Sequence, residues 1–279
     1  MESVRKALWF MESRFRDDVS LDELSRAAGI SRYHFAHVFA MATGQSAMRY
    51  MRGRRLSEAA RVLANGGPNI LTIALDFGYG SHEAFTRAFR DQFGMTPESV
   101  RVQRHLDNVN LVEAIKMDDG LITTLAPPRF EQVRLLLIAG LGGKYSLDTH
   151  QNIPALWQRL QPHLGNVPGQ VRTKGATFGV CYNMDDSGNF DYLAGVEVSG
   201  FADLPAELTR LRIPAQRYAI FTHHEHVSTM HSVGMTIWTK WLPESGYEAV
   251  DAPFLEYYGE EFDGRTGMGG YQMWIPIKT

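Results

Sequence analysis

Residues 29–47 read GISRYHFAHVFAMATGQSA, and residues 78–97 read GYGSHEAFTRAFRDQFGMTP. With Ser31 set on Ser81, Phe35 falls on Phe85, Phe39 on Phe89 and Gly44 on Gly94, a shared S-x3-F-x3-F-x4-G pattern. Upstream the offset drops by one: Leu24 meets Ile73, Ser25 meets Ala74 and Gly29 meets Gly78. The second copy has one more residue in its turn. Such self-similarity predicts one supersecondary unit used twice.

The unit is a pair of helices around a tight turn. Leu21, Leu24 and Ala28 stand at helical spacing and form one apolar face. Ser20 with Glu23 has the capping-box pattern. Ser25 or Ala74 is small where two helices must approach closely, and Gly29 or Gly78 suits a left-handed residue just past the helix end. Ser31 or Ser81 caps the next helix. Phe35 and Phe39, or Phe85 and Phe89, lie one turn apart and pin that helix inward. This is a helix-turn-helix plan. The positions between the phenylalanines then face outward: Arg32, Tyr33, Ala36 and His37 in the first copy, and His82, Glu83, Thr86 and Arg87 in the second. On a helix in a major groove, Arg87 can pair with guanine, His37 can donate to an acceptor edge and Glu83 can accept from cytosine.

Residues 46–65, SAMRYMRGRRLSEAARVLAN, join the copies. Met48, Met51, Leu56, Ala59, Ala60 and Leu63 line one side of a helix, and Arg49, Arg52, Arg54 and Arg55 crowd the other, where phosphate contact is expected. A helix of that length spans roughly 25 Å, which sets two recognition helices about one DNA turn apart. Residues 1–105 thus resemble the DNA-binding domain of the AraC/XylS family, most specifically through IALDFGYGSHEAFTRAFRDQFGMTP. The resemblance implies base contacts from Tyr33, Ala36 and His37, and from His82, Glu83 and Arg87. Ala36 and His37 stand where longer polar residues are common, so the first unit is expected to contribute less or different readout.

Composition agrees with a soluble, cytoplasmic, multidomain protein of 279 residues, 44% hydrophobic and 21% charged. The one cysteine, Cys181, excludes an intrachain disulfide and a cysteine-based zinc site. The N-terminus lacks signal-peptide character, and the longest apolar run, Leu135 to Leu141, is too short to span a bilayer. Residues 1–106 hold 15 Lys and Arg against 11 Asp and Glu, and the rest hold 13 against 20, so a net +4 precedes a net −7. A basic half joined to an acidic half fits different partners for each. The expected boundaries are 1–106, a linker over 107–121 with a connecting helix from Leu106 to Ile115, and 122–279.

The second half reads as α+β with antiparallel sheet. Strands are expected at Arg134–Leu141, Thr177–Tyr182, Tyr192–Ser199, Thr209–Ile213, Arg217–His223, Phe254–Tyr258 and Gln272–Ile277. Helices are expected at Ile153–His163 and Met230–Leu242. IPALWQRLQPHLG (153–165) resembles GMTIWTKWLPESG (234–246), with Trp157 on Trp238, Pro162 on Pro243 and Gly165 on Gly246. The repeat predicts a pseudo-twofold domain with two helices on one sheet.

The two Trp-bearing helices, IPAQRYAIFTHHE, WLPESGYEAVDAPFLEYYGEEFD and the closing YQMWIPIK resemble the GyrI-like small-molecule-binding domain. That resemblance implies a ligand in the cleft between the halves, stacked on aromatic rings and selected by a buried acid. The candidates are Trp157, Tyr182, Tyr192, Trp238, Tyr258, Tyr271 and Trp274, with the acids Glu197 and Glu256. Gln272 stands where the last strand of the family often carries a glutamate. Glu197, in an apolar strand, is the favoured acid because a carboxylate facing inward is costly to bury unpartnered. His223, His224, His226 and His231 have no metal-site spacing. No cofactor or metal is expected. The reading is therefore a non-enzymatic transcription regulator, an activator that also touches RNA polymerase, with double-stranded DNA and an aromatic or cationic effector as partners and no membrane. The alternatives make the second half a protein-interaction module or a hydrolase of reactive small molecules with Glu197 or Glu256 as base.

Overall fold

The computed structural model describes residues 2–115, 123–146, 149–171 and 175–278. Among these residues the first domain has seven helices: α1 (Glu2–Arg14), α2 (Leu21–Ala28), α3 (Arg32–Thr43), α4 (Ala47–Ala64), α5 (Ile70–Asp76), α6 (His82–Phe93) and α7 (Pro97–Gln103). The local chemistry expected for the repeat is present. The Ser20 hydroxyl accepts from the Glu23 amide while the Glu23 carboxylate accepts from the Ser20 amide, closing the capping box. Ser31 and Ser81 cap α3 and α6. Gly29 and Gly78, at φ +73° and +76°, make the turns, where a Cβ would strain the backbone. Ser25 and Ala74 are buried at the helix crossings.

The chain after α7 departs from expectation. Leu106–Ile115 forms no helix; it runs as a strap along α4. The Val112 amide donates to Ser57 Oγ at 2.8 Å, the Ile115 amide donates to the Tyr50 hydroxyl at 3.3 Å, and Val109 and Val112 fill gaps beside α4. Side chains of α4 thus satisfy backbone groups that a helix would have paired internally. Lys116, Asp118, Asp119 and Gly120, the polar part of the expected linker, lie outside the described residues.

The second domain runs β1 (Arg129–Val133), β2 (Leu136–Ser146), α8 (Ile153–Leu160, prolonged by a 3-10 turn at Gln161–His163), β3 (Thr177–Tyr182), β4 (Asn189–Glu197), β5 (Thr209–Ile213) and β6 (Gln216–His223). It continues as α9 (Met230–Thr236), a π-helical turn (Ile237–Trp241), α10 (Leu242–Ser245), β7 (Glu248–Ala249), β8 (Phe254–Tyr258) and β9 (Tyr271–Lys278). The described residues form one antiparallel sheet in the order β1-β6-β9-β8-β3-β4-β2-β5, with β7 added against β9. This order is symmetric about the β8–β3 seam, so β3, β4, β2 and α8 repeat as β8, β9, β6 and α9–α10. Two-residue links join β1 to β2 and β5 to β6, although each pair stands near opposite ends of the order. The sheet must curl for such short links to close.

The curl gives two unlike faces. The inner face carries Ile138, Phe178, Val180, Leu193, Tyr218, Ile220, Leu255 and Trp274, packed on one another. The outer face carries Tyr192, Ala194, Ala219, Phe221, Tyr258, Met273 and Ile275 and receives α8 and α9. The hydrophobic cluster under α9 does not stop at the domain boundary. It continues through Met41, Ala36 and Tyr33 into Phe35, Phe39, Met51 and the core of α1 and α2.

Candidate functional sites

The two recognition helices are in unlike surroundings. On α6, Phe85 and Phe89 are fully buried while His82, Glu83, Arg87 and Arg90 are exposed. Of the expected outward face, His82, Glu83 and Arg87 are exposed, whereas Thr86 is half-buried with its hydroxyl turned away from solvent. On α3, Phe35 and Phe39 are likewise buried, but Tyr33 and Ala36 are half-buried and His37 is buried. The expected outward face exists as geometry and is covered by the second domain. Trp238, from the π-helical turn, stacks on His37 with ring centroids 4.7 Å apart and meets Tyr33 edge-on at 6.1 Å. His34 Nε2 donates to the Trp238 carbonyl at 2.9 Å, and the Tyr33 hydroxyl donates to the Ala252 carbonyl at 3.1 Å. Arg32 pairs with Asp186, from the β3–β4 connection, and with Asp22 at 3.4 Å. Burial pushes His37 down to about 4, against the pull of its hydrogen bond to the Tyr33 carbonyl.

The arginines of α4 divide as well. Arg49 and Arg52 are exposed. Arg54, expected at phosphate, is buried: its guanidinium bonds both Glu12 oxygens, Glu58 at 2.9 Å and the Val112 carbonyl at 2.9 Å. Arg55 donates to the Phe15 and Asp17 carbonyls. Both arginines tie α1 and the strap to α4. Their predicted phosphate role is corrected accordingly, because a guanidinium with its donors already spent inside the fold has few left for DNA.

The ligand candidates separate onto the two faces of the sheet. Glu256, Tyr192, Tyr258, Tyr271, Trp157 and Trp238 are on or over the outer face. Tyr182, Glu197, Gln272 and Trp274 belong to the inner one. Glu197 is not an unpartnered acid: its carboxylate pairs with Arg134 at 2.6 Å. Gln272 accepts from Trp274 Nε1 at 2.9 Å, and Trp274 lies against Phe178, Tyr218 and Tyr257 in a filled core. A single ligand cannot touch both sets through the sheet.

Glu256 is the acid that the geometry isolates. It sits on β8 opposite Gly179 of β3, the middle rung of the five that join the half-domains. Its Oε2 accepts from the Tyr192 hydroxyl at 2.6 Å and the Tyr258 hydroxyl at 2.9 Å, and Trp157 Nε1 donates to the Tyr192 hydroxyl at 3.1 Å. Burial pushes the carboxyl up while the two hydroxyls pull it down, and burial wins. Among the described residues no cationic side chain contributes to holding it ionised. Gly179 is obligatory here, since a Cβ would come within 2.1 Å of the Tyr192 hydroxyl oxygen and 2.5 Å of Glu256 Oε2. A glycine inside an apolar strand is the sequence signal for such a close approach. Trp157, Tyr192 and Tyr258 fill the space around the carboxylate. A cavity of about 200 Å³ lies instead at the domain seam, lined by Tyr33, His37, Cys181, Tyr182, Arg212 and Asp251 among others. An open groove of about 600 Å³ lies beyond Phe262, between Thr177, Gln170 and Glu260. Cys181 is a half-buried thiol pushed up by desolvation, unlike a reactive thiolate.

Comparison with known proteins matches these two regions separately. Residues 126–278 match the GyrI-like small molecule binding domain, and residues 24–103 match a helix-turn-helix domain. The chain belongs to the GyrI-like family and carries an N-terminal helix-turn-helix domain of the AraC type. The right origin-binding protein of Escherichia coli strain K12 is 38% identical over 98 residues, which is 35% of this chain and 34% of that protein. The transcriptional regulator Rob of Salmonella typhimurium matches to the same extent. The likeness thus spans about a third of either relative. Among solved structures, SAV2435 bound to tetraphenylphosphonium is 21% identical with a TM-score of 0.46, covering 55% of this chain and 94% of that one. No helix of the described residues is long and apolar enough to cross a membrane.

Proposed function

We propose that this chain is a DNA-binding transcription regulator, an activator that also touches RNA polymerase, and that its second domain senses a lipophilic cation. DNA is read by α6 through His82, Glu83 and Arg87 and by α3 through Arg32, Tyr33, Ala36 and His37, with Ser31, Ser81 and the exposed arginines at the backbone. The observation that carries the effector assignment is Glu256. A half-buried carboxyl that accepts from two tyrosine hydroxyls among aromatic rings, with no cationic partner among the described residues, is costly to ionise; a cation stacked on those rings would repay that cost. Trp157, Tyr192 and Tyr258 are the contact residues, and the Trp157 ring must move for a ligand to enter. Tyr271 and Trp238 flank the same face, whereas Tyr182, Glu197, Gln272 and Trp274 serve the inner core.

Calorimetric titration of the full chain with tetraphenylphosphonium tests this. Binding is expected, weakening as pH falls because protons compete for Glu256, and lost in Glu256→Gln. Binding that ignores both pH and the substitution would remove Glu256 from the role. DNA affinity and transcription that stay fixed with the cation bound would remove the sensing function.

A further inference from the structure

The base-reading face of α3 and the outer helical layer of the second domain are complementary to each other. We infer that the second domain is an intramolecular lid on the first helix-turn-helix: the closed chain reads DNA with α6 alone, and α3 becomes available only when the seam opens. The inference rests on the DNA-reading role proposed above and adds an asymmetry between the two units that this role does not contain.

Four features of the seam support it. The contact falls on the residues that would meet bases, Arg32, Tyr33, Ala36 and His37, rather than on the back of the helix. The contact is specific as well as apolar, because the Trp238 carbonyl receives His34, the Ala252 carbonyl receives Tyr33 and Asp186 receives Arg32. The last of these places a carboxylate where a phosphate or a base acceptor would stand. Gly234 of α9 abuts Met41 of α3 so closely that a Cβ would lie 2.5 Å from the methionine methyl carbon. The two helices are seated as core helices are. Finally, α6 carries the same fold, and among the described residues its His82, Glu83 and Arg87 stay exposed. An α-helix must enter the major groove to read it, and one face cannot hold Trp238 and DNA together.

The same geometry supplies the test. Gly234→Glu puts a charged side chain into the Met41 contact, where burial without a partner is unfavourable, and it favours helix at that position. Asp186→Arg, on an exposed connection, sets two arginines against each other and leaves both cores untouched. Full-length wild type and both variants would be used to select binding sequences from a random pool of duplexes about three turns long. Wild type is expected to enrich one specified cluster of base pairs. Gly234→Glu is expected to enrich a second cluster about one turn away, ~10 base pairs on, with Asp186→Arg shifted the same way to a smaller extent. In parallel, diethyl pyrocarbonate should modify His37 at least several-fold faster in Gly234→Glu than in wild type.

Two clusters selected by wild type would overturn the lid. So would a variant whose His37 reacts freely and which still specifies one cluster. If Gly234→Glu fails to fold, Asp186→Arg decides: a second cluster, or a stronger one, supports the lid, and a wild-type profile with freed His37 overturns it. Should none of the proteins enrich any sequence, the DNA-reading role itself falls, and the lid with it; that pattern is distinct from every other outcome.

Discussion

Arg54 separates two accounts of the basic face of α4. If it contacts phosphate, Arg54→Ala weakens DNA binding and leaves the fold alone. The structure requires the reverse. The guanidinium is 8% exposed, and it holds Glu12 and Glu58, whose side chains are 29% and 26% exposed. Removing one member of a buried ion pair costs about 3–5 kcal/mol, chiefly because the remaining charge is left without a partner. Both carboxylates here reach solvent in part, which lowers the loss to about 2–3 kcal/mol. At ~2–4 °C per kcal/mol for a chain of a few domains' size, melting should fall by roughly 4–12 °C, and α1 with the Val112 strap should exchange its amides first. The slope of log binding constant against log salt should equal that of wild type, whereas one lost phosphate contact would flatten it by ~0.9. Arg52→Ala, at an exposed position of the same helix, is the control in which the slope moves and the melting temperature does not. Unchanged melting together with a flattened slope in Arg54→Ala would refute the tether.

Two further outcomes follow from buried groups. His37 is held down to about 4 from an ordinary value near 6.5, so the closed seam excludes its proton; closure is fully supported above pH 6.5 and loses about 3 kcal/mol as pH falls towards 4. The groups facing it are His34 and Tyr33 on α3, Cys181 and Tyr182 on β3, Arg212 on β5 and Asp251 before β8; amide exchange in α3 should rise over that window, and an α3 protected alike at pH 7 and pH 4.5 would refute the link. Gly179→Ala should cost about 1–3 kcal/mol by overpacking against Tyr192 and Glu256, read as a lowered melting temperature; a variant as stable as wild type would show that the middle rung has room to spare.

Elements with strong local chemistry were legible in the sequence, and contacts between distant segments were not. Ser20, Gly29, Ser31, Gly78 and Ser81 each act on neighbours a few residues away, so their pattern predicts the helix ends, and the structure shows the caps and turns in place. Strands with buried faces, such as β3, β5 and β8, were legible to the residue. Strand β1 was missed because four of its five residues are exposed and show no alternation, and β7 because two residues carry no period. The strap at Leu106–Ile115 looks helical by apolar spacing, but its hydrogen bonds go to Ser57 and Tyr50 of α4, partners that spacing cannot reveal.

The choice between the two acids shows where alternation alone fails. Glu197 and Glu256 both interrupt apolar strands, and each strand has a buried residue on either side of its acid or next to it. The sheet is covered on its outer face and curled on its inner one, so an inward direction exists on both sides, and period two does not say which carries the site. Register does. Glu256 faces Gly179 on the pseudo-twofold seam, and a glycine partner leaves room for the Tyr192 hydroxyl to reach the carboxylate. Glu197 instead lies at the end of β4, within reach of Arg134. The same distinction explains Ala36 and His37. As DNA readers they look weak, one too short and the other lacking a second charged arm. As a seat for the Trp238 indole they fit, with a small side chain that admits the ring and a flat one that stacks on it at an interplanar angle of 20°. A residue that departs from its family's polar pattern at a reading position can therefore record a second surface that must fit there too, and in this chain that surface is the protein's own.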